Sequence, residues 1–467
     1  MRRISVLTGI FVLLLAAGVF AVHPRDMKFS ELDWEPTEPV RFTTDNGMVV
    51  YFLEYHELPL VTASMYFQGG EIYDPADKAG LTELTARLLR TGGAGDRSPD
   101  SVDLDLDFVG ARVGSSSDID YLSASLNTLK KDVPLGFEIL ADMLIRPRFD
   151  EAKVTLEKSN RQDQIRRQND SPWDISRRVF YQTVYAGHPY GQYATLSSID
   201  NITREDIVAQ HKRFFRPNNC IMAIAGDMTL KEVKDMIRKY FGAWQASGKP
   251  VSPAAMAEVQ YTPGVYYAEK DMNQANIRLG HLALDNKNPD RFAMEVTNFV
   301  LGAGGFTSRL TGQVRTTAGL AYSVGSYQSI RPYGGCLFGY CLTRADAMAQ
   351  AVQMMLDIIK EVRENGITAE EMELAKESIL NSYIFNYDTP GELVAAKAYL
   401  ELRGFTPDQL KKNVEAYKAV TLDDCNRVAG EYLHPDNMVI VVTGNKELFD
   451  KPLETLGTVT AVSMEIH

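Results

Sequence analysis

The chain has 467 residues, 45% of them hydrophobic and 24% charged, with a formal net charge of −12. This is globular composition and excludes a disordered or collagen-like chain. The acidic balance also argues against nucleic acid and anionic membrane surfaces as main partners, because both reward basic patches.

Met1-Arg2-Arg3 gives a positive start, Ile4 to Phe20 is almost wholly apolar, and Val19-Phe20-Ala21 ends on small residues of the kind a signal peptidase reads. The pattern predicts a secretory signal over 1–21 rather than a spanning helix, since the apolar core is short and no stop-transfer charges follow. The mature chain is expected to be exported, to the periplasm or beyond the cell, with no membrane attachment other than the signal. Further on, Asp45-Asn46-Gly47 is a hairpin turn signal ahead of the β-rich Met48 to Leu53.

An internal repeat organises the rest. Pro217 to Gly226 contains an apolar run after a turn, and Pro435 to Gly444 repeats it at the same length; Val113-Gly114-Ser115 is echoed by Val324-Gly325-Ser326. Two homologous α/β units of similar size follow, spanning 36–246 and 262–463. They are joined by Ala246 to Gly264, a Pro-, Ala-, Ser- and Gly-rich stretch across which few contacts are expected. In the second unit, Val352, Met355, Leu356, Ile359 and Val362 recur at helical spacing and predict one buried stripe. Cys220, Cys336, Cys341 and Cys425 are too sparse and badly spaced for a disulfide framework or a zinc knuckle, so buried free thiols are expected.

This organisation resembles the pitrilysin/insulinase family of zinc metallopeptidases, the inverted zincins. In the first half the resemblance rests on Asp45-Asn46-Gly47, Gly80 with a helical run ending at Gly92-Gly93, His188-Pro189-Tyr190-Gly191, Ile199 to Thr203 and Pro217 to Asp227. In the second it rests on Leu301 to Phe306, Ser308-Arg309-Leu310 and Gly319 to Val324. It implies an α+β fold of two homologous domains, each a mostly antiparallel sheet with helices packed on one face.

The family's catalytic helix carries H-x-x-E-H, two His one turn apart that bind zinc and a Glu that polarises its water. Aligned on Gly80, those positions hold Glu83, Ala86 and Arg87, and the later Glu ligand falls near Gln164, with Glu157 one helical stretch earlier. Seven histidines exist (His23, His56, His188, His211, His281, His434 and His467), none three or four residues from another, so no helical pair rebuilds the site. No metal and no cofactor are expected in this chain.

The resemblance also implies that the second half supplies an Arg and a Tyr seven residues apart, here Arg315 and Tyr322. Gly304 and Gly305 either make a tight turn or let substrate backbone approach. A chain without the zinc site but with the Arg/Tyr pair resembles the non-zinc subunit of a heteromeric member. Its implied partners are a paralogous H-x-x-E-H subunit, which carries the zinc, and a peptide substrate. The alternative is an inert peptide-binding or structural scaffold of the same fold.

Overall fold

Asp45-Asn46-Gly47 folds as a tight turn, with Gly47 at φ +88°, a region where glycine has no steric penalty. It joins strand β1 (Val40–Thr43) to β2 (Val49–Glu54) in antiparallel register. The computed structural model describes residues 34–248, 251 and 259–466, and residues from Thr37 onward form one compact unit. The expected signal over 1–21 and residues 249–250 and 252–258 of the segment joining the two halves lie outside the described residues.

Each half builds one six-stranded mixed sheet. The first comprises β1, β2, β3 (Leu60–Gln68), β4 (Arg112–Ser117), β5 (Tyr121–Leu129) and β6 (Cys220–Gly226), in the order β1-β2-β6-β3-β5-β4. The second comprises β7 (Gly264–Glu269), β8 (Gln274–Ala283), β9 (Ala321–Ser329), β10 (Gly335–Arg344), β11 (Val439–Gly444) and β12 (Val459–Ala461), in the order β12-β7-β11-β8-β10-β9. The two repeated apolar runs are therefore the equivalent strands β6 and β11, and the Val-Gly-Ser pair lies on the edge strands β4 and β9. Among the described residues the parallel strand pairings lie toward one edge of each sheet, β2 with β6 in the first, and β7 with β11 and β12 in the second.

The first core fills one sheet face. Val50, Phe52, Ala63, Met65, Met222 and Ile224 point to the same side and pack on helices Leu81–Thr91, Val133–Ile145 and Leu230–Phe241. The predicted stripe of the second half lies on the helix Met348–Asn365, with Val352, Met355, Ile359 and Val362 buried and Leu356 half-buried.

Each sheet is also covered on its opposite face, by a helix from the other half. Helix Pro390–Leu402 lies against β6, β2 and β3 of the first sheet. Its approach is close because that face carries Thr62, Ser64, Ala223 and Ala225; a Cβ on Gly391 would come within 2.9 Å of Thr62 Oγ1. Reciprocally, helix Pro172–Val184 lies on β8 and β11, where Ser176 Oγ donates to Asn276 Oδ1 at 2.7 Å and Phe180 meets Phe338 at 5.4 Å. Strands β6 and β11 are buried throughout their length, which is why they read as unbroken apolar runs. Leu393, Val394 and Leu402 are buried on the first exchanged helix, and each such side chain contributes about 1.5–3 kcal/mol. The expectation of few contacts between the halves is thereby corrected: each half lends a helix to the other's sheet.

Polar links reinforce the exchange. The Asp120 carboxylate, in the turn between β4 and β5, accepts from Tyr190 Oη at 2.6 Å and from Arg331 Nη1 at 3.1 Å, with Arg403 Nη2 at 3.5 Å. Burial, then the Asp120 charge, pushes the Tyr190 phenol far above its ordinary value, so it stays a donor. The Glu401 carboxylate accepts from Arg41 Nε and Nη2 and from the Tyr51 hydroxyl.

Candidate functional site

The first candidate position lies on helix Leu81–Thr91. Asp74 caps it from outside, accepting from the Gly80 and Thr82 backbone N–H groups at 3.1 Å, while Gln210 donates to the same carboxylate at 3.2 Å. Gly80, at φ +99°, allows the sharp entry. Leu81, Leu84 and Leu88 bury one face, and the helix stops at Gly92-Gly93, where Gly93 takes φ +84°.

The exposed face presents Glu83 and Arg87, and buried Ala86 lies between them. Arg87 Nε is 3.4 Å from Glu83 Oε1, and Arg87 Nη1 is 3.8 Å from Glu157 on helix Glu151–Arg166. Arg161, one turn after Glu157, brings its Nε to 3.0 Å from Glu83 Oε2. Gln164 is a further turn along, exposed, accepting from Arg161 Nη1 at 3.1 Å. Glu83, Arg87, Glu157 and Arg161 thus form one alternating ion network, which Gln164 touches only through Arg161. These residues do not fit a zinc ion: the Glu83 carboxylate is shared between two guanidinium groups, which cannot ligate, and Ala86 supplies no base. Among the described residues, no group of three His, Cys, Asp or Glu side chains is placed to hold a metal.

Beside this network lies a half-open cavity of about 330 Å³, lined by Glu71, Gly80, Glu83, Arg161, Arg177, Tyr181, Tyr190 and Tyr193 from the first half and Arg331 from the second. Burial raises the Glu71 carboxyl, which accepts from Ser117, and pushes Asp74 up to about 7.

The second candidate position is built by two irregularities in the second half. Thr311–Thr317 winds as a wide π-helical turn, with Ala318 N donating to Gln313 O at 2.9 Å. Arg315 leaves from this turn. At the start of edge strand β9, the register with β10 slips: Ser323 faces Leu342 and Ala321 faces Thr343, so Tyr322 is the extra residue of a β-bulge. Its side chain is 77% exposed. The Arg315 guanidinium carbon sits 5.6 Å from the Tyr322 ring centroid and 4.9 Å from that of Phe306, itself 73% exposed. Among the described residues no carboxylate pairs with Arg315. Both kinds of irregularity cost regular hydrogen bonding, and both recur where a fold re-aims a side chain.

The glycines nearby have separate causes. A Cβ on Gly302 would stand 2.4 Å from Ser326 N of β9, and one on Gly304 would stand 2.6 Å from the Phe299 ring, so both are demanded by packing. Gly305 takes φ +58° and faces open space. Arg315 and Tyr322 are not among the residues lining the cavity. The sequence reading missed Arg161 as the partner of Glu83; its only sequence signal was its place one helical turn from both Glu157 and Gln164.

Residues 50–195 match the insulinase family (peptidase family M16), and residues 201–379 match the peptidase M16 inactive domain. The uncharacterized zinc protease YmxG of Bacillus subtilis is 23% identical over 406 residues, covering 86% of this chain and 98% of that protein. An uncharacterized zinc protease of Streptomyces coelicolor is 27% identical over 363 residues, covering 76% and 78%. Among solved structures, a peptidase M16 inactive domain from Pseudomonas fluorescens superposes with a TM-score of 0.81 at 23% identity, over 90% of this chain and all (100%) of that one. The periplasmic protease PqqL from Escherichia coli gives a TM-score of 0.75 at 17% identity, over 91% of this chain and 48% of that one. With two α+β halves and these matches along most of its length, the chain belongs to the pitrilysin/insulinase (M16) peptidase family, as a peptidase-like member whose residues 201–379 match the inactive domain.

Proposed function

We propose that this chain is the non-zinc subunit of an exported heteromeric peptidase, binding peptide and donating Arg315 and Tyr322 to the active site of a paralogous H-x-x-E-H subunit. The observation that carries this reading is the bulge at Tyr322 set against the π-helical turn at Arg315. Together they hold an exposed phenol beside a half-buried guanidinium that no carboxylate pairs among the described residues, where a purely structural pair would be packed away or neutralised. Peptide hydrolysis builds negative charge on the scissile carbonyl oxygen, and donors already aimed at that place stabilise the transition state more than the ground state. Tyr322 supplies one O–H, and Arg315 supplies a planar fork of N–H donors suited to substrate carbonyls. Loss of one such donor costs about 3–4 kcal/mol of transition-state stabilisation.

Substrate is held as an extended strand along an open sheet edge, for which β4 and β9, each at the end of its sheet, offer unpaired backbone groups. The chain's acidic balance suits basic peptides. Met1 to Ala21 directs the chain to the periplasm or beyond, and among the described residues no helix is long and apolar enough to cross a membrane.

The test is reconstitution. The purified chain alone is expected to cleave no peptide and to retain no stoichiometric zinc after dialysis; mixed with the H-x-x-E-H chain of the same organism, it gives chelator-sensitive cleavage. Robust cleavage by the isolated chain would refute the assignment. A stable mixed complex that cleaves no faster than the zinc-bearing chain alone would make this chain a scaffold.

A further inference from the structure

Strand β9 is tied down on both sides of Tyr322 by two buried threonine hydroxyls. Thr343, 2% exposed, stands opposite Ala321 at the register slip, and its Oγ1 donates to Leu320 O at 2.6 Å. Thr311, 4% exposed, opens the π-helical turn, and its Oγ1 donates to Val324 O at 3.1 Å. The two acceptors are the carbonyls two residues before and two residues after Tyr322.

The same ties reach Arg315. Leu320, whose carbonyl accepts from Thr343, donates its backbone N–H at 3.0 Å to the carbonyl of Val314, the residue before Arg315. Gly319, at φ +64°, makes the reversal between the turn and the strand. Thr311 belongs to the turn that carries Arg315, so its bond to Val324 runs directly from the arginine's turn to the tyrosine's strand. A β-bulge leaves its extra residue out of the ladder, so strand pairing alone does not fix where Tyr322 points. The hydroxyls supply that restraint from buried positions, where no solvent is at hand to replace a lost bond. Placement is what a donor pair needs, since a displacement of about 1 Å costs on the order of 10²-fold in rate.

We propose that Thr311 and Thr343 are positioning residues for the Arg315–Tyr322 pair, their hydroxyls clamping β9 on either side of the bulge so that phenol and guanidinium keep one mutual geometry. That this geometry serves turnover rests on the proposed function above; that the two hydroxyls set it does not.

The experiment uses the full mature chain with Thr311→Val and Thr343→Val, which keep the shape of threonine and delete the hydroxyl, and with Thr311→Ser and Thr343→Ser, which keep the hydroxyl. In the isolated chain, amide hydrogen exchange over residues 318–325, read by mass spectrometry, is expected to quicken about tenfold in Thr311→Val and Thr343→Val and to stay unchanged in Thr311→Ser and Thr343→Ser. In the mixture with the H-x-x-E-H chain, fluorescein-labelled casein is the probe. There Thr311→Val and Thr343→Val are each expected to lower the apparent kcat about fivefold or more with KM unchanged, and Thr311→Ser and Thr343→Ser to keep most of it. With Tyr322→Phe already in place, Thr343→Val is expected to cost no more than about twofold further, because it acts through the phenol it positions. Unaltered amide exchange overturns the proposal. So does an equal loss of kcat with and without Tyr322→Phe, which would make the threonines structural only. If Thr343→Val fails to fold, Thr311→Val carries the same expectations. Full turnover with Tyr322→Phe, or a mixture that cleaves nothing, refutes the subunit assignment, and quickened exchange confined to residues 318–325 then still sustains the clamp.

Discussion

Asp120 is the most informative single perturbation of the association between the halves. Its side chain is 4% exposed and takes Tyr190 Oη from the first half and the guanidinium groups of Arg331 and Arg403 from the second. A hydrogen bond to a charged group contributes about 1.5–3 kcal/mol, and removing one member of a buried ion pair costs about 3–5 kcal/mol because its partner is stranded. Asp120→Asn keeps one acceptor oxygen, and Arg331 retains Asp118 at 3.5 Å, whereas Arg403, 10% exposed, is left without its carboxylate. We therefore expect about 3 kcal/mol of destabilisation for Asp120→Asn and about 1.5 kcal/mol for Tyr190→Phe, with the double variant less than additive because the two share one bond. Urea unfolding at pH 7, followed by circular dichroism, measures all three. A loss under about 1 kcal/mol for Asp120→Asn, the range of exposed pairs, would refute the view that this carboxylate binds the halves together.

Other expectations concern pH and packing. Burial lowers the His281 imidazole from 6.5 to about 4. Between those values the unfolded chain binds a proton that the folded chain does not, so this contribution is complete above pH 6.5 and is lost as pH falls toward 4. The loss is about 3 kcal/mol for a shift of this size, and His281→Gln should flatten the unfolding free energy over that window; an unchanged slope would contradict the assignment. Gly302→Ala, whose Cβ would meet Ser326 N at 2.4 Å, is expected to lower stability by about 1–3 kcal/mol in thermal melts, and no change would show that the turn yields. Glu83→Gln releases Arg87 and Arg161, but these groups are 43% and 26% exposed, so solvent screening limits the loss to about 1 kcal/mol by urea titration. A loss several times larger would mean that Glu83 anchors the helix.

Much of the fold was legible because local and global signals agree at particular residues. Asp45-Asn46-Gly47 makes its turn, the stripe from Val352 to Val362 is a core face, and the two apolar runs after Pro217 and Pro435 became equivalent strands. Pairings across the chain were less legible. Helix Pro172–Val184 carries no mark that it belongs to the second sheet, and nothing near Asp120 points to Arg331 or Arg403, more than 200 positions away. Glu157 and Arg161, rather than Gln164, face the Leu81–Thr91 helix because side chains on packed helices meet at intervals of a turn, whereas an alignment offset places a residue only to within a few positions. Arg278 reads in sequence as an ordinary strand residue; its unsatisfied donors appear only when Trp173 and Phe338 close over it.

The central claim is that Arg315 and Tyr322 act on substrate rather than on the fold. Tyr322 is 77% exposed, so Tyr322→Phe and Arg315→Ala are expected to leave the melting temperature and assembly with the H-x-x-E-H chain unchanged. The direct measurement is kcat of the reconstituted mixture with each variant. A fall of tenfold or more at constant assembly is the predicted result, and full turnover with both variants would contradict it.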